Sequence, residues 1–402
     1  MITRRSLLQS GAAAAAVFTA GSRAALADQP GVTTTEIKIG QTMPYSGPAS
    51  AYGVIGRTEA AYFKMINEQG GVNGRKINLI SLDDGYSPAK TVEQVRKLVE
   101  DEKVAFLFNT LGTPPNLAIR QYCNDNKIPQ LFVATGASAF ADPAHFPWTI
   151  GYQPNYPTEA RIYGKHILAT RPDGKIAVLY QNDGFGKDYL FGLKDALGDK
   201  AGAMVVKEAS YETSEPTVDS QIVTLQGSGA DILIIVAVPK FAAQAIRKSY
   251  DLGWNGVRYV SVVSASIATV LKPAGLEKSK GLITAYWGKD PTDAKWKDDP
   301  GMKEWQAFCG KYLSQTEFID ANGTYAFGAA QTMLQVLKQC GDDLSRENVM
   351  KQAANLKDLE SPLLLPGMRI NTSPTNYSPI RQMQLASFDG QSWQLFGELL
   401  TG

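Results

Sequence analysis

The sequence alternates short β-branched runs with longer amphipathic stretches, and this alternation constrains the fold more than any other feature. It predicts a strand at residues 36–40 and a helix at residues 58–69, which ends at Gly70-Gly71. A second strand follows at residues 76–82, and a second helix begins at Ser87-Pro88. Strands that alternate with helices predict a mostly parallel sheet with helices packed on it.

The alternation occurs in two series, which predicts an α/β protein with two doubly wound lobes. The first series ends before Trp148, and the second runs from Pro154 to a strand at residues 257–263. In folds of this kind a ligand crevice lies outside the carboxyl ends of the strands. We therefore expect a hinged molecule whose crevice lies between the two lobes.

The remaining elements complete no sheet of their own. They are a strand at residues 281–286 and helices at residues 305–313 and 325–339, which we expect to return to the first lobe. The turn at Asp389-Gly390 separates two short aromatic runs and predicts a C-terminal hairpin. We assign this hairpin to the second lobe.

Residues 1–27 have the pattern of an export signal. Arg4-Arg5 stand directly before a weakly apolar stretch, which ends in small residues at Ala25-Leu26-Ala27. This pattern predicts a twin-arginine signal peptide in preference to a cytosolic tail. The apolar stretch has about ten residues, against the roughly 20 that span a bilayer. We therefore expect a mature chain that begins near Asp28 and acts in the periplasm.

Charge and residue counts argue against several classes of function. The 40 basic residues nearly cancel the 39 acidic ones, so nucleic acid is not an expected partner. His145 and His166 are the only histidines, which leaves little material for a metal site or a Ser-His-Asp triad. Gly184-Phe185-Gly186-Lys187 lacks the spacing of a phosphate loop, so we expect no cofactor. Cys309 and Cys340 predict either one disulfide or two free thiols.

One candidate binding loop is Thr113-Pro114-Pro115-Asn116. It follows a strand predicted at residues 104–109 and opens a helix. Amide groups at a helix start lack partners within the helix and hold carboxylates well. Thr113 is equally suited to plain helix capping, which needs no ligand. The local sequence leaves both alternatives open.

A second candidate loop is Ala134-Thr135-Gly136-Ala137-Ser138, after a strand predicted at residues 128–133. Its small residues let a ligand approach the backbone, and Thr135 and Ser138 supply hydroxyl groups. Aromatic residues at loops and strand ends are candidates for the wall of an apolar cleft, although a single ring more often packs in a core. These aromatic candidates are Tyr45, Tyr52, Tyr152, Phe185, Tyr286 and Trp287.

Several motifs together resemble those of a known family. They include Ile37-Lys38-Ile39-Gly40, Pro44-Tyr45-Ser46-Gly47-Pro48, Gly70-Gly71-Val72-Asn73-Gly74-Arg75 and Asp183-Gly184-Phe185-Gly186-Lys187. With these motifs, essentially the whole mature chain is similar to the branched-chain amino acid (Leu/Ile/Val) binding proteins of ABC transporters. The resemblance implies a type I periplasmic binding fold whose lobes close on a small-molecule ligand and then dock onto a membrane permease.

The resemblance also implies how the lobes are divided. It implies three crossovers, near Tyr152, Leu282 and Leu363, with the C-terminal tail in the second lobe. We therefore expect residues 28–151 and 282–362 in lobe 1, and residues 152–281 and 363–402 in lobe 2.

Candidate ligand contacts are transferred from the family by position. The family's carboxylate-binding loop matches Thr113, and its second loop matches residues 134–136. The aromatic residue of the first loop matches Tyr52, and the ring of the second lobe matches Phe185. The complete set of predicted ligand contacts is Tyr52, Thr113, Pro114, Ala134, Thr135, Gly136, Ser138, Tyr152, Phe185 and Ser264.

The chain departs from the amino-acid binders of this family at one place. In those proteins an acidic residue after a second-lobe strand holds the ammonium group of the ligand. The matching residues 261–266 contain no acid, and neither do residues 236–239. A buried ammonium without a counter-charge costs several kcal/mol. The departure favours an aromatic or aliphatic carboxylate without an amine, unless Asp183 or another acid supplies the missing charge.

Three functions fit this sequence. The first is the periplasmic solute-binding component of an ABC transporter, acting as a monomer. The second is a periplasmic sensor subunit on the same fold, and the third is an exported enzyme that uses Asp83, Asp84 and Asp183. The scarcity of catalytic groups, the export signal and the fold favour the first function, and we predict that the protein is not an enzyme.

Overall fold

The structure is a computed structural model that describes residues 29–402. The predicted signal peptide, residues 1–27, lies outside the described residues. Within residues 29–402 no helix is both long enough and apolar enough to cross a membrane. The described strands form two sheets, in agreement with the two series of alternating elements.

The first sheet consists of five parallel strands. They are β1 (Glu36–Met43), β2 (Lys76–Asp83), β3 (Phe106–Phe108), β4 (Gln130–Val133) and β5 (Thr149–Gly151). Their spatial order is β2-β1-β3-β4-β5, and the neighbouring pairs are parallel. The inner strands β3 and β4 are buried throughout, as expected for a sheet with helices on both faces. We call the elements packed on this sheet the first lobe.

The second sheet has seven strands in the described chain. They are β6 (Ile176–Gln181), β7 (Val205–Tyr211), β8 (Ile232–Val236), β9 (Val257–Val260), β10 (Ile283–Tyr286), β11 (Gln382–Phe388) and β12 (Trp393–Thr401). Their order is β12-β11-β10-β9-β8-β6-β7, and β11 is antiparallel to both of its neighbours. We call the elements packed on this sheet the second lobe. The predicted C-terminal hairpin is confirmed: Asp389 accepts hydrogen bonds from the turn amides of Gln391 and Ser392.

The prediction that the strand at residues 281–286 returns to the first lobe is wrong. The strand β10 lies between β9 and β11 in the second sheet, where Ile283 pairs with both Tyr259 and Ser387. The C-terminal hairpin needs an inner neighbour to reach this sheet, and β10 supplies it. Thr284 and Ala285 are fully buried there. The crossover implied near Leu282 therefore comes after Tyr286.

The helices flank the two sheets. They are α1 (Gly53–Glu68), α2 (Pro88–Arg96), α3 (Thr113–Asp125), α4 (Tyr156–Thr170), α5 (Gly184–Leu197), α6 (Ala201–Met204), α7 (Asp219–Gln226), α8 (Pro239–Asp251), α9 (Lys272–Ala274), α10 (Leu276–Ser279), α11 (Pro300–Tyr312), α12 (Gln315–Phe318), α13 (Ala321–Cys340) and α14 (Arg346–Ala353). The predicted return of α11 and α13 to the first lobe is confirmed by aromatic packing. The ring centroid of Tyr62 on α1 lies 6.2 Å from that of Phe308 and 5.1 Å from that of Phe327.

The cysteines play a packing role. Cys123, Cys309 and Cys340 are buried and unpaired among the described residues. Burial raises the pKa of each thiol to about 12, which keeps it protonated and unreactive at neutral pH. Of the two alternatives left open by the sequence, the structure contains free thiols.

Candidate functional site

A cavity of about 410 Å³ lies between the lobes, and we call it the cleft cavity. Loops after β1, β2, β3 and β4 line it from the first lobe, and loops after β6, β8 and β9 line it from the second. The carboxyl ends of both sets of parallel strands therefore meet at this cavity, as doubly wound sheets require. The lining residues are Tyr52, Ile55, Tyr86, Leu111, Gly112, Thr113, Ala134, Gln153, Tyr156, Phe185, Val238, Val263 and Asn322.

Four of the predicted contacts line the cleft cavity: Tyr52, Thr113, Ala134 and Phe185. The hydroxyl group of Tyr52 donates a hydrogen bond to the carbonyl oxygen of Val263, 3.0 Å away across the cleft. Burial raises the pKa of Tyr52 well above its ordinary value, so the hydroxyl group keeps its proton. This bond ties the start of α1 to the loop that follows β9.

Thr113 opens the helix α3 and faces the cavity, while Thr135 lies behind it. The two hydroxyl oxygens are 2.7 Å apart, and Thr135 also donates to the hydroxyl oxygen of Tyr156 at 3.2 Å. The next two residues of α3, Pro114 and Pro115, carry no amide hydrogen. Among the described residues, no acceptor is bonded to the Thr113 amide. One main-chain donor of this helix start is therefore left for a ligand.

The remaining predicted contacts lie outside the walls of the cleft cavity. The carbonyl oxygen of Gly136 accepts from the amide of Tyr156 at 2.7 Å, so this glycine supports the wall from behind. Ser264 donates to the carbonyl oxygen of Ala237 at 2.5 Å, which joins the loop after β9 to the end of β8. Pro114 is half-buried in the first turn of α3. Tyr152 lines a neighbouring cavity.

Ser138 lies at the rim of the cleft and joins the lobes there. Its amide and hydroxyl groups donate to the two carboxylate oxygens of Asp188 on α5, at 2.7 and 2.9 Å. Both bonds cross from the first lobe to the second. We call this pair of bonds the rim latch.

Sequence reasoning missed several residues of the wall. Tyr86 follows β2 with a backbone φ of +63°, which directs its ring into the cleft. Its hydroxyl oxygen accepts from Gln181 of the second lobe at 3.5 Å. Tyr156 is the first residue of α4, and its ring centroid lies 4.8 Å from that of Phe185. An aromatic residue at a helix start, directly after the loop at residues 152–155, was the available signal for Tyr156.

Within the described chain, none of the residues that line the cleft cavity carries a charge. Asp183 accepts hydrogen bonds from the amides of Phe185 and Gly186, at 2.8 and 3.3 Å, and so caps α5. Burial raises the pKa of Asp183. An acidic counter-charge for a ligand ammonium is therefore absent from the described wall.

The other acids considered for catalysis hold a loop together. Asp83 accepts from the amides of Tyr45, Ser46 and Gly85, at 2.9, 3.1 and 3.0 Å. Asp84 accepts from the amide of Tyr86 at 2.9 Å and from the hydroxyl group of Thr91. These contacts assign both carboxylates to the positioning of the β1 and β2 loops.

A buried carboxyl group supports the second-lobe wall. Glu159 on α4 is 1% exposed and accepts hydrogen bonds from the hydroxyl groups of Tyr163 and Tyr189. It also accepts from the amide of Val262, 2.8 Å away in the loop after β9. Burial raises the pKa of Glu159 to about 7. This one side chain therefore joins two helices to the loop that carries Val263.

Comparisons with known proteins agree with this architecture. A model of the family described as "Periplasmic binding protein" matches residues 36–392. A curated relative, Leu/Ile/Val-binding protein homolog 1 of Brucella abortus (strain 2308), is 26% identical over 366 residues, which cover 88% of this chain and 90% of that protein.

Two solved structures share the fold at low sequence identity. A branched chain amino acid ABC transporter protein from Thermus thermophilus with bound valine has a TM-score of 0.82 and 16% identity, covering 92% of this chain and 98% of that one. A fatty acid ABC transporter substrate-binding protein from Thermomonospora curvata has a TM-score of 0.78 and 21% identity, covering 94% and 95%. Both similarities extend over the two lobes.

Proposed function

This chain belongs to the periplasmic binding protein family, and on that premise we propose that it captures a small amine-free carboxylate between its lobes and delivers it to a membrane permease. The two solved relatives carry different ligands in their names, valine in one and a fatty acid in the other. The fold alone therefore does not select the ligand, and the walls of the cleft cavity must supply the argument.

The absence of charge among the described wall residues of the cleft cavity carries the proposal. An amino acid brings an ammonium group, and burying it without a counter-charge costs several kcal/mol. The carboxylate of the ligand, by contrast, has a hydrogen-bond donor in the wall. The Thr113 amide lies at the positive end of α3, a helix of 13 residues, where a negative charge is favoured. The aromatic rings of Tyr52, Tyr86 and Phe185 suit an apolar group on the same ligand.

A thermal-shift screen of matched pairs tests the proposal. The protein is unfolded and refolded to remove carried-over ligand, then heated with leucine or 4-methylpentanoate, and with phenylalanine or 3-phenylpropanoate. We expect the two acids to raise the melting temperature and the two amino acids to leave it unchanged. A ligand at 100 times its Kd adds about 2.7 kcal/mol to stability. Stabilisation by the amino acids alone would overturn the amine-free assignment.

Delivery to a permease, periplasmic location and a monomeric state belong to the same proposal. Contacts between the lobes support it, because Tyr52 reaches Val263, and Ser138 reaches Asp188, across the cleft. Hinged lobes that close on a ligand present a surface that the open form lacks. We propose that a permease recognises this closed surface. A sensor subunit would use the same closure with a receptor as its partner.

We predict that the rim latch contributes to ligand affinity. Replacing Asp188 with alanine removes both bonds from Ser138, and hydrogen bonds to charged groups contribute about 1.5–3 kcal/mol before solvent exposure reduces them. We expect 3-phenylpropanoate to bind roughly 5- to 10-fold more weakly, mainly through faster dissociation. Stopped-flow fluorescence and calorimetry measure both quantities.

A carboxylate on the same helix provides the control for the latch. Asp195 on α5 is 2.6 Å from Arg161 of α4, so its ion pair lies within the second lobe. We expect Asp195→Ala to leave the dissociation rate unchanged. Equal effects of Asp188→Ala and Asp195→Ala would contradict a role of the rim latch in closure.

A further inference from the structure

A second cavity, with an empty volume of about 680 Å³, adjoins the cleft cavity, and we call it the hinge cavity. Segments of all three connections between the lobes contribute to its wall. Tyr152 comes from the first connection, Trp287 from the second and Leu363 from the third. Part of α13, including Gly328, closes the side toward the first lobe.

The two cavities meet. Gln153, Val263 and Asn322 line both of them, so these three residues form the boundary between the cleft cavity and the hinge cavity. A ligand that reaches from the cleft cavity into the hinge cavity therefore has to extend past these three residues.

The tyrosine hydroxyl groups around the hinge cavity have partners in the protein. Tyr152 is bonded to Thr332 at 2.9 Å, and Tyr286 donates to Asp290 at 3.1 Å. The hydroxyl oxygen of Tyr325 accepts from Asn109 at 2.8 Å. These groups therefore do not require polar atoms from a ligand.

Lys289 and Ser266 of the same wall are paired as well. Lys289 donates to Asp299 at 2.6 Å and to the carbonyl oxygen of Pro362 at 2.8 Å. Ser266 donates to Asp320 at 2.9 Å. What the hinge cavity offers a ligand is mainly ring faces and aliphatic side chains, and an apolar group gains most from such surfaces.

We propose that the ligand is a monocarboxylate with an extended apolar tail, alkyl or arylalkyl, which passes between Gln153 and Asn322 into the hinge cavity. This inference rests on the proposed function, because the cleft cavity holds the carboxylate. It adds the length of the tail as the property that the protein selects. The tail also contacts the connections that bend when the lobes close, so tail length and closure are linked.

A chain-length series tests the proposal by calorimetry. Butanoate, octanoate, phenylacetate and 6-phenylhexanoate are titrated into the ligand-free protein. Each methylene that leaves water is expected to strengthen binding by up to about fourfold. Allowing for the ordering of the chain, we expect octanoate to bind at least roughly 10-fold more tightly than butanoate, and 6-phenylhexanoate more tightly than phenylacetate.

A variant that fills the hinge cavity locates the tail. A β-carbon at Gly328 would lie 3.3 Å from the hydroxyl oxygen of Ser361 and 3.7 Å from that of Tyr152, so a larger side chain there occupies the cavity. We expect Gly328→Leu to weaken octanoate binding at least tenfold and butanoate binding less than twofold. Gly328→Ala should give an intermediate loss. Gly310→Leu is the matched control, since no heavy atom lies within 4 Å of a β-carbon there.

The outcomes separate this inference from the proposed function. If butanoate and phenylacetate bind but the longer acids bind no better, the tail proposal fails and the carboxylate proposal stands. If none of the four acids binds, both fail. If the longer acids bind better but Gly328→Leu weakens all four equally, the hinge cavity is not the tail site. Should Gly328→Leu not fold, Gly328→Ala and the wild-type series carry the test.

Discussion

Replacing Glu159 with alanine is expected to lower the free energy of unfolding by about 3–5 kcal/mol. The substitution leaves the hydroxyl group of Tyr189 and the amide of Val262 without their acceptor, while the hydroxyl group of Tyr163 keeps the carbonyl oxygen of Val260 at 2.8 Å. Each buried donor that loses its partner costs about 1–3 kcal/mol, and the lost side-chain volume adds a cavity. Urea unfolding followed by circular dichroism measures the loss.

The Glu159→Gln variant is the control because glutamine keeps the shape and one acceptor oxygen. We expect it to lose far less stability than Glu159→Ala. If Glu159→Ala lost less than about 1 kcal/mol, the carboxyl group would not be the support of the loop after β9 that its contacts indicate.

A comparison of wild type with Glu159→Gln gives the pH dependence of the unfolding free energy. The pKa of Glu159 is raised from 4.5 to about 7 by burial, so the folded protein binds a proton more tightly than the unfolded chain between these values. The resulting stability is fully present below pH 4.5 and is lost as the pH rises through 7. We expect wild type to lose about 3 kcal/mol relative to Glu159→Gln over this window. A constant difference from pH 4 to 8 would contradict the raised pKa.

The second large effect is expected at Gly184, the first residue of α5. A β-carbon at this residue would lie 3.2 Å from Cγ2 of Thr113 and 3.7 Å from Cδ1 of Leu117, both on the opposite lobe. A leucine side chain does not fit in this contact, so closure would stop short. We expect Gly184→Leu to weaken 3-phenylpropanoate binding roughly 100-fold, because binding energy is spent on overcoming the clash. Calorimetry measures the affinity.

The controls for Gly184 separate closure from folding. Gly184→Ala adds only the β-carbon, and we expect a loss of a few-fold. Gly202→Leu adds the same side chain on the second lobe where no heavy atom lies within 4 Å of the β-carbon, and should bind normally. The unfolding free energy of ligand-free Gly184→Leu should match wild type. X-ray scattering measures the compaction of the protein on ligand addition. If Gly184→Leu bound with normal affinity and became as compact as wild type, the lobes would close without bringing residue 184 against Thr113.

Part of the candidate site followed from local sequence. Thr113 was predicted because a proline-rich helix start follows a strand, and Tyr52 and Phe185 because they match aromatic positions of a family the chain resembles. All three line the cleft cavity. Thr135 and Ser138 were predicted from the same loop, yet one lies behind the wall and the other forms the rim latch. Small loop residues indicate where a ligand approaches without fixing which side chains face it.

Tyr86 shows why other wall residues were missed. Its left-handed backbone, φ +63°, is unusual for a bulky residue and is imposed by the loop held on Asp83 and Asp84. Local sequence does not show this conformation, and without it the direction of the ring is unknown. Gln153 and Asn322, which separate the two cavities, come together from distant parts of the chain and gave no local signal.

The sequence by itself determined the type and order of the elements, since hydrophobic periodicity and helix caps act over a few residues. It also determined that the cleft walls carry no acid after β8 and β9. Only the tertiary structure decided that β10 joins the second sheet, that Glu159 supports the loop after β9, and that the hinge cavity adjoins the cleft. These features depend on which segments pack together, and long-range packing is specified by the whole chain and not by any window of it.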